Sequence, residues 1–142
     1  MKRFWASVAL LVCTACSGGS NSGPSTSPST TPPLAPTSET FTGTVAVGGS
    51  DFHPFTVKLS NGQVTADLTA AGPPPTITVG LGIGTFANGV CSLLQNGAVL
   101  ATGGPTPQLS GSNFTTGTYC VAVFDAGNQQ ADITYSVTVT HY

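Results

Sequence analysis

From Glu39 onward, apolar and polar residues alternate in short runs broken by Gly, Asn and Pro, the pattern of strands with one buried face. The run "VTADLTA" (64–70) is the cleanest, with Val64, Ala66 and Leu68 on one side and Thr65, Asp67 and Thr69 on the other. The last run, "DITYSVTVT" (132–140), sets Ile133, Tyr135, Val137 and Val139 against Asp132, Thr134, Ser136 and Thr138. Similar runs are "FTGTVAV" (41–47), "DFHPFTVKL" (51–59), "TITVGLGI" (76–83), "CSLLQ" (91–95), "AVLAT" (98–102) and "GTYCVAVFD" (117–125). Asn61-Gly62 and Asn96-Gly97 read as hairpin turns, because both positions tolerate positive φ. A further hairpin is expected between the last two strands. Apolar residues nowhere recur at helical spacing over three turns. The pattern predicts an all-β fold, a single antiparallel β-sandwich of about eight strands, jelly-roll or immunoglobulin-like, preceded by a disordered linker.

The first 38 residues follow other rules. Lys2 and Arg3 precede the apolar run "FWASVALLV" (4–12), and the small residue Ala15 follows, as in a secretory signal. That run is less than half of the roughly 20 residues needed to span a bilayer. The adjoining "CTAC" (13–16) resembles the lipobox of bacterial lipoproteins, in which a Cys follows small residues after an apolar stretch. Cys16 has Thr14 and Ala15 before it, whereas Cys13 has the branched Val12. The resemblance implies a signal peptide at 1–15, loss of Cys13, and lipidation of Cys16 with the two or three acyl chains that make anchoring stable. Ser17 replaces the Asp that often retains such proteins at the inner membrane, which favours the outer membrane of a cell envelope. Residues 16–38 are Ser, Thr, Pro and Gly with no apolar periodicity, so they are expected to form a disordered stalk carrying a domain at 39–142.

Composition sharpens this picture. Charged residues make up 6% of the 142, against roughly 25% in ordinary soluble domains, so Thr, Ser, Asn and Gln must supply solubility. Loss of Lys2 and Arg3 would take the formal charge from −2 to −4 and leave Lys58 as the one basic side chain besides two histidines. No basic patch is available for nucleic acid. Export also places Cys91 and Cys120 in an oxidising compartment, where a disulfide between them would close a loop of about 30 residues and add roughly 3.5 kcal/mol of stability.

Three segments together resemble the bacterial pre-peptidase C-terminal domain. Asp51, Phe52, Phe55, Thr56 and Val57 match its early strand, Gly117, Thr118, Tyr119, Val121 and Val123 a late strand, and Tyr135, Val137 and Val139 the final one. The acidic Asp-x-Asp-Leu strand common in that family is replaced here by "TITVGLGIG" (76–84). The resemblance implies a β-sandwich that flanks secreted peptidases or stands alone on surfaces, and is not itself catalytic.

Candidate chemistry is sparse. "GLGIG" (80–84) has no following helix to make a phosphate cradle, so its glycines are expected to admit a close neighbour onto a strand. His53 reads as a surface or strand-edge residue, and His141 as part of a frayed C-terminus. Two histidines do not make a zinc site. Asp125, Asn128 and Asp132 are weak calcium candidates, since such ions take 6–8 oxygens and turns use the same residues for their own backbone bonds. No cofactor is implied, and no acid, base and nucleophile converge as an enzyme requires. Phe55, Tyr119 and Tyr135 fall on inward faces. Phe52, Phe86, Phe114 and Phe124 fall off that register or in loops. Phe86 and Phe114 are the leading pair for a binding surface, with packing beneath loops as the alternative.

These readings lead to a non-catalytic, monomeric envelope lipoprotein, held to the membrane through Cys16. It would present a binding or structural module to a glycan, a matrix or an envelope protein. The alternative is an accessory subunit of a secreted peptidase, another envelope hydrolase or a transporter.

Overall fold

The computed structural model describes residues 32–142. Residues 1–31, with Cys13, Cys16 and most of the expected linker, lie outside that range. Eight strands follow in order: β1 (Thr37–Val45), β2 (Ser50–Val57), β3 (Gly62–Gly72), β4 (Thr78–Ala87), β5 (Val90–Thr102), β6 (Leu109–Phe114), β7 (Gly117–Asp125) and β8 (Ile133–His141). They form two four-stranded antiparallel sheets, ordered β1-β8-β3-β6 and β2-β7-β4-β5. That order is the jelly roll, one of the two arrangements the sequence left open.

The alternation assigned the inward faces well. Val64, Ala66 and Leu68 of β3, Val79, Leu81 and Ile83 of β4, Val121 and Val123 of β7, and Ile133, Tyr135, Val137 and Val139 of β8 are all buried between the sheets. Dense packing of small β-branched side chains makes this core.

The turn signals behave differently. Asn61 does adopt φ 59°, yet β2 and β3 belong to different sheets, so Asn61-Gly62 is a crossing between layers and not a hairpin. The connection between β7 and β8 is likewise a crossing. Asn96-Gly97 lies inside β5: partners jump from Gly82↔Ala98 to Gly84↔Leu93, so four residues bulge opposite Ile83. "CSLLQ" and "AVLAT" are therefore one strand, and the eighth strand is β6, in a segment without an alternating run. The tight two-residue turn is Asn88-Gly89, with φ of 52° and 77°, joining β4 to β5 within one sheet.

β1 starts at Thr37, taking Thr37 and Ser38 from the expected linker. Ser38 is held there by its hydroxyl contact with Thr140 at 2.8 Å. His141 is not frayed: it pairs with Thr37, is 3% exposed and stacks near Phe55 with ring centroids 5.2 Å apart.

Cys91 and Cys120 are joined as a disulfide, with Cα atoms 5.8 Å apart. Cys91 is on β5 and Cys120 on β7, with β4 between them, so the bridge passes over Gly84, which pairs with Cys120 on one side and Leu93 on the other. A Cβ at Gly84 would collide with the Ser92 backbone. The missing side chain lets β5 come close enough for Cys91 to reach over its neighbour. Reducing this bridge should cost about 3 kcal/mol and lower the melting temperature by roughly 10–20 °C, read by calorimetry with and without reductant. Two reactive thiols in the unfolded, unreduced protein would contradict the pairing.

Candidate binding surface

The two sheets present opposite chemistry to solvent. On the β1-β8-β3-β6 sheet the outward positions are Ser and Thr: Thr40, Thr42 and Thr44 of β1 beside Thr134, Ser136, Thr138 and Thr140 of β8. Thr40 and Thr138 contact each other through their hydroxyls at 2.9 Å, as Ser38 and Thr140 do. These hydroxyls satisfy one another across strands and keep the face wettable, with Asp67 of β3 paired beside Thr138.

On the β2-β7-β4-β5 sheet apolar side chains dominate the outward positions, with the Thr56–Thr118 and Thr78–Thr102 pairs toward the strand ends. Phe52 pairs with Ala122, and its ring reaches that of Phe86 on β4 at a centroid distance of 6.1 Å. Phe124 lies over Gly80, where any Cβ would overlap its ring, and Leu93 lies in the same way over Gly82. The glycines of "GLGIG" thus do admit close neighbours, as the sequence suggested. Phe52 remains 36% exposed and Leu93 45%, while Phe86 and Phe124 are half-buried. Between them lies a cleft of about 270 Å³ lined by Ser50, Phe52, Cys91, Leu93, Ala122 and Phe124.

Of the four rings set aside as off-register, three converge here and one does not. Phe114 is 7% exposed and belongs to the core, which corrects its candidacy as a binding residue. The cause is a one-residue bulge: the β3–β6 register slips between Gly62↔Phe114 and Val64↔Gly111, with Asn113 at φ 64°. The slip flips the alternation, turns Phe114 inward above Gly111, and sets it edge-on to Tyr119 at 5.0 Å. Phe86 lies on β4, not in a loop. Leu93 went unnoticed in the sequence, although it stands opposite the glycine-rich strand whose bare surface draws it in.

The polar candidates are absorbed by structure. Asp125 Oδ1 accepts backbone N–H bonds from Gly127, Asn128 and Gln129 at 2.7–3.3 Å, and Oδ2 accepts one from Gly48 at 2.8 Å. It therefore ties the β7–β8 crossing to the β1–β2 turn, and both oxygens are committed to protein donors. Asn128 and Asp132 are exposed in the same loop. Among the described residues no three His, Cys, Asp or Glu side chains converge as metal ligands would.

His53 is a working part of the seam between β1 and β2. Tyr135 donates its hydroxyl proton to Asp51 Oδ2 at 2.8 Å, so its oxygen accepts from His53 Nε2–H at 2.9 Å. The His53 ring stacks on Phe41 with centroids 4.9 Å apart. Gly43 leaves the room: a Cβ there would strike Asp51 and Tyr135. Burial, reinforced by the Asp51 carboxylate, pushes the Tyr135 hydroxyl far above its ordinary value, so it stays a neutral donor. Glu39 and His141 make a second contact at 2.8 Å beside this seam. Each histidine has one carboxylate neighbour and a packing role.

No family model matches the chain, and no curated protein matches it.

The Asp125 carboxyl is held below its ordinary value of 3.8, chiefly by the Gly48 N–H; desolvation opposes this, and the Gly127, Gln129 and Asn128 N–H groups add to the lowering. A folded pKa below the unfolded one gives stability that is present above the unfolded value and lost as pH falls from about 4 through the folded one. Asp125→Ala should therefore lower the urea midpoint at pH 7, and the gap to the wild type should close as pH falls below the folded pKa of Asp125. A gap that persisted there would mean the carboxylate is not what holds the loop.

Proposed function

We propose that this protein is a lipid-anchored module of the bacterial cell envelope, without catalytic machinery of its own, that docks on a neighbouring envelope protein through the outer face of the β2-β7-β4-β5 sheet. The observation that carries the reading is the contrast between the two outer faces. One is covered by hydroxyls, and the other offers Phe52, Phe86, Phe124 and Leu93 with no charged side chain lining its cleft. Exposed, contiguous aromatic and aliphatic side chains are typical of protein interfaces, where burial of such rings supplies most of the binding energy.

Glycan and matrix polymer were the other partners the sequence allowed. Ser50 is the sole polar side chain lining the cleft, so a sugar seated there would give up water for few new hydrogen bonds. An apolar protein surface suits the face better. The likeness to pre-peptidase C-terminal domains supports the same reading, since those domains accompany other secreted proteins or stand alone on surfaces. Anchoring rests on the lipobox-like "CTAC" at 13–16, with outer-membrane residence suggested by Ser17.

A single set of variants tests both halves. Cys16→Ser should abolish partitioning into detergent phase and membranes, and Cys13→Ser should leave it intact. Phe52→Ser with Leu93→Ser should stay in the membrane and melt nearly as the wild type, because both side chains are exposed. It should lose a cross-linked envelope partner by about tenfold or more, equal to about 1.4 kcal/mol of binding. Undiminished cross-linking in the double variant would place the docking surface elsewhere, and acylation that depends on Cys13 would move the anchor.

A further inference from the structure

The crossing loops at one end of the sandwich enclose a second, different cleft. Its volume is about 510 Å³, inside the range of small-ligand sites. It is lined from the β3–β4 side by Pro73, Pro74, Thr76, Ile77 and Thr78, and from the β7–β8 side by Asn128, Gln130 and Ala131. No residue of the aromatic face takes part.

The position of this cleft follows from strand direction. The chain reaches the sandwich at Thr37, which pairs with His141, and runs along β1 to Val45, which pairs with Ile133. Gly72, just before the prolines, pairs with Thr134, and Thr78, just after them, precedes the Val79↔Asp125 pair. The cleft is thus at the far end of the domain from the point where a tether attaches, a distance of roughly 30 Å for the nine residues of β1.

Its chemistry is amide, hydroxyl and saturated ring. Among the described residues, the side-chain polar groups of Thr76, Asn128 and Gln130 make no hydrogen bond to the protein, whereas Thr78 is taken up with Thr102 at 3.3 Å. Gln129, between Asn128 and Gln130 in sequence, is 7% exposed and lies outside the cleft's lining, so the amides open to a ligand are those of Asn128 and Gln130. No cation lines the cleft: Lys58 is at the opposite end, where its N–H bonds the Tyr142 carbonyl. The carboxylates nearest along the chain are Asp125, bound inward, and Asp132. An anionic ligand therefore finds no counter-charge.

From this arrangement we infer that the cleft is a subsite for a neutral saccharide. A side-chain amide offers a donor and an acceptor side by side, which matches a vicinal diol, and the Pro73 and Pro74 rings offer apolar surface to sugar C–H groups. A peptide would call for a backbone edge or an apolar anchor pocket. With no aromatic ring to stack on, binding should be weak and depend on a repeating ligand or a crowded surface for retention. The inference does not depend on the aromatic face.

The test uses the full chain with its N-terminal anchor, in a detergent without a sugar headgroup, followed by amide chemical shifts. The probes are maltotetraose, cellotetraose and chitotetraose as neutral sugars, with tetragalacturonate and tetra-alanine as comparisons. At least one neutral sugar should shift residues 73–77 and 126–132 with a Kd of about 1 mM. Asn128→Ala with Gln130→Ala should weaken it by about tenfold at an unchanged melting temperature, and Phe52→Ser with Leu93→Ser should leave it unchanged. The inference is overturned if no neutral sugar shifts these loops by about 10 mM, if tetragalacturonate or tetra-alanine binds there as well, or if the sugar maps to Phe52 and Leu93.

Discussion

The surface chemistry depends on a stripe of β4 that has no side chains. Gly80, Gly82 and Gly84 face outward while Val79, Leu81 and Ile83 fill the core from the same strand. Because nothing projects from the stripe, the Phe124 ring sinks onto Gly80, Leu93 onto Gly82, and the Ser92 backbone onto Gly84. The last approach brings Cys91 over β4 to Cys120. Disulfide, cleft and ring cluster are consequences of one strand that alternates branched residues with glycine. Glycine weakens a strand by its backbone entropy, and here the disulfide and the packed rings offset that loss.

With so few charges, the molecule places each polar device where a structural joint needs it. Asp125 closes the loop end, and the Asp51–Tyr135–His53 chain closes the β1–β2 side. Thr and Ser hydroxyls cover one sheet by bonding across strands. On the other sheet such a pair occurs only at one end, between Thr78 and Thr102, among the described residues. That contrast, hydroxyls on one face and exposed Phe52 and Leu93 on the other, is what supports the proposal of a docking face.

Period-two alternation made the inner faces legible in the sequence, because a residue's side of a strand follows from its parity. It did not say which sheet a strand joins, so Asn61-Gly62 passed for a hairpin when it crosses between layers. Bulges hid the rest. Three extra residues in β5 made one strand look like two, and Asn113 in a left-handed conformation reversed the parity of Phe114. An Asn just before an aromatic residue was a usable warning of that reversal. The binding face was half legible: Phe52, Phe86 and Phe124 stood out as off the inward register, but their meeting depends on strand order and on small residues at 80, 82 and 122. Leu93 carried no mark in its own run.

The central claim is that the β2-β7-β4-β5 outer face is covered by a protein in the intact envelope. Hydroxyl-radical footprinting of native membranes, compared with the purified chain, reads this residue by residue. Phe52, Phe86 and Leu93 should be protected in membranes and modified in the purified chain, while Leu59, exposed at the end near Tyr142, should be modified alike in both. Equal modification of Phe52 and Leu93 in the two samples would contradict the account.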